Sequence, residues 1–116
     1  VYHLAKQVME TLGDGSRFGV NIHYIEEPHL LGAGGALLNA KHLLGHEPFI
    51  LISGDIYTHF PLNSLKLYPD KLGHLILTDN PSFHPEGDFA LVDIDNSETK
   101  LISLSGSQKL TYASIA

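Results

Sequence analysis

The sequence predicts an α/β chain with a mixed, mostly parallel sheet flanked by helices, and three observations carry that expectation. Apolar segments alternate as strand, helix, strand, helix, strand, a rhythm that gathers the loops of parallel strands at one sheet edge. Phe49-Ile-Leu-Ile52 is continuously apolar, the pattern of a strand covered on both faces. The 116 residues, 43% hydrophobic, suffice for one modest core and not for two ordinary domains.

Each element follows from local pattern. Leu4, Ala5, Val8, Met9 and Leu12 draw a helical stripe over residues 3–12, closed by Gly13 and the turn-rich Gly13-Asp-Gly-Ser16. Val20, Ile22 and Tyr24 alternate with Asn21 and His23, predicting a half-buried strand ended by Glu26, Glu27 and Pro28. Leu31-Gly-Ala-Gly-Gly35 reads as a glycine loop leading into a helix through Ala36, Leu37, Leu38, Ala40, Leu43 and Leu44, stopped by Gly45. Strand 49–52 then delivers Ser53-Gly54-Asp55. Residues 62–67 predict a short helix stopped by Pro69, and 74–78 a third apolar strand with Asp79 at its end. Residues 80–88 form a polar loop. Residues 89–94 and 101–104 flank Asp95-Asn96-Ser97 as a hairpin, which adds antiparallel pairing. Ser105-Gly-Ser107 breaks the chain before a last strand at 110–116. Val1 opens on a helical stripe and Ala116 stops within an apolar run, so the sequence reads as part of a domain rather than a whole one.

Composition excludes several classes of function. A formal charge of −6 favours solubility and works against a broad nucleic-acid or anionic-membrane surface. Basic residues are too sparse, and tyrosines and phenylalanines too dispersed, for an oligonucleotide track. With no cysteine there is neither disulfide nor thiol chemistry. No apolar run approaches the roughly 20 residues that span a bilayer, and no signal peptide is visible, so a cytoplasmic location is expected.

Asp55 is the leading chemical candidate. A carboxylate after a buried apolar strand lies where open α/β sheets bind ligands, and Gly54 beside it removes a side chain from the approach. Such a carboxylate suits Mg²⁺ bridged to phosphate oxygens, and equally suits a turn or helix cap; the local pattern does not choose. Gly32, Gly34 and Gly35 fit either a close backbone approach to a phosphate or base, or an ordinary turn. They match neither GxGxxG nor GxxxxGK[ST]. Asp79, His84 and Asp88 share one loop, but their spacing matches no compact metal motif; hydrogen bonding to a polar substrate or to solvent suits them better. No serine sits in a nucleophile elbow.

Taken in order, Leu12-Gly-Asp-Gly-Ser-Arg-Phe-Gly19, the segment through Tyr24 and Glu27, Leu31-Gly-Ala-Gly-Gly-Ala-Leu37 and Pro48-Phe-Ile-Leu-Ile-Ser-Gly-Asp55 resemble the sugar-1-phosphate nucleotidyltransferases. Asp79-Asn-Pro-Ser-Phe-His-Pro-Glu-Gly-Asp-Phe89 looks most like the branch acting on N-acetylmuramate 1-phosphate, a cell-wall precursor, and the wider group includes mannose-1-phosphate guanylyltransferases. The resemblance implies a Rossmann-like sheet of the nucleotide-diphospho-sugar transferase type. It implies a Mg²⁺-dependent transfer of a nucleotidyl group from UTP or GTP to a sugar 1-phosphate, giving an NDP-sugar and pyrophosphate. It matches Asp55 to a catalytic, Mg²⁺-holding aspartate. Glu27, Gly34, Gly35 and Gly54 fall at nucleotide-contacting positions, and Asn80, Gly87 and Asp88 in the region shaping the sugar-phosphate pocket. The family's Gly-rich triphosphate loop and its later metal aspartate and sugar-phosphate lysine have no counterpart in these residues; Lys109 does not match that lysine. The chain by itself is therefore expected to be inactive. A non-catalytic nucleotide-binding module and a fragment that binds nothing are the rival expectations, separable by titration calorimetry with UTP, GTP and Mg²⁺.

Overall fold

The computed structural model describes residues 1–66, 71–92 and 101–116. These residues form two compact units, residues 1–47 and 48–116. The helices fall in the first unit and the sheet in the second.

In the first unit, α1 spans Ala5–Leu12. Its half-buried residues are Ala5, Val8, Met9 and Leu12, the i, i+3, i+4, i+7 stripe that an amphipathic helix turns inward. On the outer face Lys6 pairs with Glu10 at 3.8 Å, four residues on, an exposed contact worth only tenths of a kcal/mol. Leu4 leaves the stripe: it adopts a left-handed conformation before the helix and is 54% exposed. After Gly13 the chain turns tightly. Ser16 N–H donates to the Asp14 carboxylate at 3.0 Å, Ile22 N–H to Asp14 O at 2.8 Å, and the Tyr24 hydroxyl to Gly13 O at 2.6 Å. The Arg17 guanidinium donates to Thr11 O and lies 4.6 Å from the Phe18 ring centroid. These bonds close residues 13–24 into one local structure.

The expected strand at 20–24 does not form, although its alternation survives: Ile22 and Tyr24 are half-buried, Asn21 and His23 exposed. Periodicity records which side chains turn inward, whereas a strand also needs a neighbouring backbone to complete its hydrogen bonds. Helix α2 spans Gly32–Leu44, so Gly32, Gly34 and Gly35 belong to its first turn and not to a loop before it. The apolar run from Ala36 onward propagates the helix back through residues of poor propensity, because each added residue gains a bond once a nucleus exists.

In the second unit four strands form an antiparallel sheet in the order β1-β4-β2-β3, with β1 Leu77–Thr78, β2 Phe89–Val92, β3 Leu101–Ser103 and β4 Lys109–Tyr112. This corrects the expectation of a mostly parallel, Rossmann-like sheet. β4 is central, pairing Leu77 with Tyr112 on one edge and Phe89 with Leu110 on the other. Beyond β4 the same segment continues to pair. Ile76 takes a bond from Ala113 N–H and gives one to Ile115 O, an offset that makes a bulge at Ser114, whose φ is 58°. Leu51 and Ala116 exchange two bonds, and Ile52 faces Ile115 in an isolated antiparallel bridge.

Segment 49–52 is thus a marginal antiparallel neighbour, with Phe49 48% and Ile50 51% exposed, rather than a covered parallel strand. An unbroken apolar run fixes preference for a dry environment but not strand direction; that depends on which segment offers complementary donors and acceptors. The expected hairpin does pair, Leu91 with Ile102 and Val92 with Leu101. Its Asp95-Asn96-Ser97 turn, and Pro69 after the 62–67 helix, lie outside the described residues; of that helix a 3₁₀ turn at Leu62–Ser64 is present.

Among the described residues the buried apolar side chains are Ala90 and Ile115, at 5% and 1% exposure. Ile115 occupies the crossing of segments 51–53 and 76–78, and full burial of such a side chain is worth about 1.5–3 kcal/mol. Ala90 is covered by the 105–107 break: a Cβ on Gly106 would stand 2.4 Å from the Ala90 Cβ. Glycine is required there by a close approach.

Candidate functional site

Segment 109–116 organises the candidate residues of the second unit. Along the edge away from β1, β2 pairs with Lys109 and Leu110, and segment 51–53 pairs with residues 114–116. Between them Tyr112 N–H would lack a strand partner. The Asp88 carboxylate takes it, with Oδ2 accepting at 2.8 Å. Two residues further along, Ser114 O accepts from Ser53 N–H at 3.1 Å. The Asp88 loop and the turn carrying Gly54 and Asp55 therefore meet segment 109–116 two residues apart.

Asp55 lies in the turn closed by Ile56 N–H donating to Ser53 O at 3.2 Å, and its side chain is exposed. A Cβ on Gly54 would meet nothing within 4 Å, so the fold does not need a glycine there. No group of three or more His, Cys, Asp or Glu among the described residues could hold a metal ion. Asp55 offers one hard oxygen donor. A Mg²⁺ ion that keeps waters and shares phosphate oxygens can use one or two protein carboxylates, so Asp55 fits such an ion as a single contributor.

Asn80, Gly87 and Asp88 are brought together by bonds the sequence did not disclose. Asn80 Nδ2 donates to Pro85 O and to Lys109 O, each at 2.9 Å, and its Oδ1 accepts from the Thr111 hydroxyl at 2.9 Å. One side chain thus folds the 80–88 loop on itself and ties it to β4. Gly87 packs against that knot with φ +60°; a Cβ there would stand 2.7 Å from Asn80 Oδ1 and 2.9 Å from the Lys109 carbonyl atoms. Gly87 N–H donates to His84 O at 3.4 Å and Asp88 N–H to Leu110 O at 2.9 Å.

Asp88 has further partners. His84 Nε2 lies 3.1 Å from its Oδ1, and His84 Nδ1 lies 3.0 Å from Glu86 Oε1. The Tyr112 N–H, foremost, holds the Asp88 carboxyl below the usual carboxylate range; desolvation opposes it, and His84 and Lys109 add lesser lowering effects. Burial pushes the Tyr112 phenol up. Asp79, grouped with His84 and Asp88 by sequence, is exposed and takes no part in this cluster. Thr111, Tyr112 and Glu86 enter it unforeseen: nothing local marks a strand residue 31 positions away as the partner of Asn80.

The nucleotide-side candidates lie in the first unit. Glu27 Oε2 accepts from Leu31 N–H at 3.2 Å just before α2, placing negative charge beside a helix start, where the helix dipole favours it. Leu31 gives α2 no side-chain cap, so amides of the first turn, Gly34 among them, have no intrahelical acceptor. A Cβ on Gly34 would meet nothing within 4 Å, whereas one on Gly35 would stand 2.7 Å from Leu31 Cβ.

A family model described as nucleotidyl transferase matches residues 1–105. The chain is 33% identical over 118 residues to the N-acetylmuramate alpha-1-phosphate uridylyltransferase of Neisseria meningitidis serogroup B, covering 97% of this chain and 50% of that protein. A glucose-1-phosphate thymidylyltransferase of Streptomyces griseus is 37% identical over 51 residues, 44% of this chain and 14% of that protein. A UTP–glucose-1-phosphate uridylyltransferase of Streptococcus pyogenes is 44% identical over 36 residues, 31% of this chain and 12% of that protein. The chain spans half the length of the first of these relatives and a smaller share of the others. With nine-tenths of its residues under the family model and its ordered motifs intact, the chain belongs to the nucleotidyl transferase family, among the sugar-1-phosphate nucleotidyltransferases.

Proposed function

We propose that the protein containing this chain transfers a nucleotidyl group from a nucleoside triphosphate to a sugar 1-phosphate, releasing pyrophosphate and forming an NDP-sugar. The observation that carries the reading is the family match across residues 1–105. In the same reading Asp55 is the catalytic and metal-holding carboxylate. The family typically works with a divalent metal, and we take it to be Mg²⁺, held by Asp55 together with substrate phosphates and water. When bound, such an ion offsets phosphate charge and orients the attacking and leaving groups in line.

The chain's own residues would then act by position. Asp55 stands exposed on a turn that segment 51–53 ties to residues 114–116, so its carboxylate reaches outward from an anchored backbone. A Cβ on Gly54 would meet nothing within 4 Å, and neither would one on Gly34, so each glycine leaves its own backbone open to a ligand. Glu27, Gly34 and Gly35 lie at or just before the start of α2, where unpaired amides suit phosphate or base oxygens. The 80–88 loop, through Asn80, Gly87 and Asp88, would shape the sugar-phosphate pocket. Catalysis of this kind is positioning plus charge stabilisation and needs no protein nucleophile.

The Neisseria meningitidis relative is named for a uridylyl transfer to N-acetylmuramate α-1-phosphate, which makes UTP and that sugar phosphate the first pair to test, with GTP as the alternative nucleotide. The decisive measurement is pyrophosphate release by the full-length protein across four nucleoside triphosphates and several sugar 1-phosphates, with and without Mg²⁺. Release with one pair, abolished by chelation, is expected. Binding of nucleotide without release from any pair would replace the enzyme with a binding module.

A further inference from the structure

His84 stands between two carboxylates: Nδ1 is 3.0 Å from Glu86 Oε1 and Nε2 is 3.1 Å from Asp88 Oδ1. Carboxylates only accept hydrogen bonds, and neutral imidazole has one N–H. The Asp88 contact is a hydrogen bond, and the Glu86 contact lies at ion-pair distance. The two arms differ in weight, because the Glu86 side chain is 71% exposed and that of Asp88 38%. The Asp88 arm leads inward: Oδ2 of the same carboxylate holds Tyr112 N–H at 2.8 Å, where the strand edge changes partner from β2 to segment 51–53.

We infer that His84 is a positioning residue: hydrogen-bonded to Asp88 and set beside Glu86, it fixes the Asp88 carboxylate on the Tyr112 amide, and with it the place where the 80–88 loop meets a sugar 1-phosphate. The second half rests on the functional reading above; the first half stands on the geometry alone. The charged groups in contact with the ring are Glu86 and Asp88 on its own loop, and the β4 groups acting on Asp88 are Lys109 and the Tyr112 N–H. Lys109 acts on the Asp88 charge, and Asp88 stays ionised because Tyr112 N–H holds its carboxyl below the usual range. A ring with a single N–H can donate to only one of the two carboxylates.

Two measurements test this on separate footings. The first needs no substrate. Ring ¹⁵N signals of His84 and the Tyr112 backbone amide are followed by NMR on this protein from acid to mildly alkaline pH. The Tyr112 amide is expected to shift, and to lose exchange protection, in step with His84 deprotonation; an amide indifferent to the ring overturns the positioning role. The second uses the full-length enzyme with its best substrate pair. For H84A the KM for the sugar 1-phosphate is expected to rise on the order of tenfold, the loss of one charge-assisted bond. The KM for the nucleotide should stay within about twofold. H84Q, which keeps one donor toward Asp88, should fall between, and E86Q should show the smallest change. Equal rises in both KM values, or none, would overturn the link to substrate. If the wild-type enzyme turns over no pair, the functional reading fails while the NMR titration still decides whether His84 governs Asp88. The wild-type titration and E86Q keep the test sound should H84A fail to fold.

Discussion

Gly87→Ala isolates the knot that ties the 80–88 loop to the sheet. Gly87 has φ +60°, and its missing Cβ would lie 2.7 Å from Asn80 Oδ1 and 2.9 Å from the C and O atoms of Lys109. The left-handed conformation alone costs an L-residue about 1–2 kcal/mol. The contact adds to it, because one wall is β4 backbone paired with Ala90 and cannot recede cheaply. The movable wall is Asn80, whose displacement puts at risk its bonds to Pro85 O, Lys109 O and the Thr111 hydroxyl. At roughly 1 kcal/mol net for each, the total runs from about 2 kcal/mol if Asn80 adjusts to about 5 if the knot opens. Urea unfolding followed by circular dichroism measures it, with amide exchange at Asp88 and Tyr112 reporting the local effect. Gly73→Ala, where a Cβ meets nothing and φ is ordinary, is the control within the same unit. A Gly87→Ala protein within about 0.5 kcal/mol of wild type, with Tyr112 protection unchanged, would refute the steric argument; that margin is the usual range for surface substitutions.

Three further outcomes follow from the same structure. Gly34→Ala should raise stability by up to about 1 kcal/mol, since the residue is helical and its Cβ has room; a simultaneous fall in nucleotide affinity, read by calorimetry, would show that the glycine serves a ligand rather than the helix. Asp55→Asn should leave the unfolding midpoint unchanged, the side chain being exposed, while lowering kcat of the full-length enzyme by about 100-fold or more; unaltered kinetics with an unaltered Mg²⁺ requirement would remove Asp55 from the site. The Asp88 carboxyl is held below its ordinary range, chiefly by Tyr112 N–H, so its contribution to stability is present above the unfolded carboxylate value and is lost as pH falls through the folded one. Asp88→Asn should therefore flatten the acid limb of an unfolding-versus-pH curve, and an unchanged limb would assign the acid sensitivity elsewhere.

The helices were legible because their signals are local. Ala5, Val8, Met9 and Leu12 state a helical stripe and Gly13 its end; Ala36 to Leu44 do the same, closed by Gly45. The start of α2 was misplaced by four residues, because three glycines read as a loop until the helix that follows is known to draw them in. The hairpin of β2 and β3 was also local. The sheet was not. That 110–116 is central, with 76–78 on one side and β2 and 51–53 on the other, depends on antiparallel pairings between segments remote in sequence, and apolarity carries no direction. The candidate residues divide in the same way. Asp55 could be singled out because a carboxylate after an apolar segment and a glycine is a local pattern.

The amino-acid sequence alone determined the family, through motifs in their order, and with it the class of chemistry to test. It could group Asn80, Gly87 and Asp88 in one loop and suspect His84 among them. Only the tertiary structure showed that Asn80 and Asp88 each bind β4, and that Gly87 is glycine because the Asn80 amide and a β4 carbonyl leave no space for a Cβ. The reason is physical: a side chain's hydrogen-bond capacity is written in its residue type, but the partner that uses it is fixed only when Lys109, Thr111 and Tyr112 are folded back against the loop.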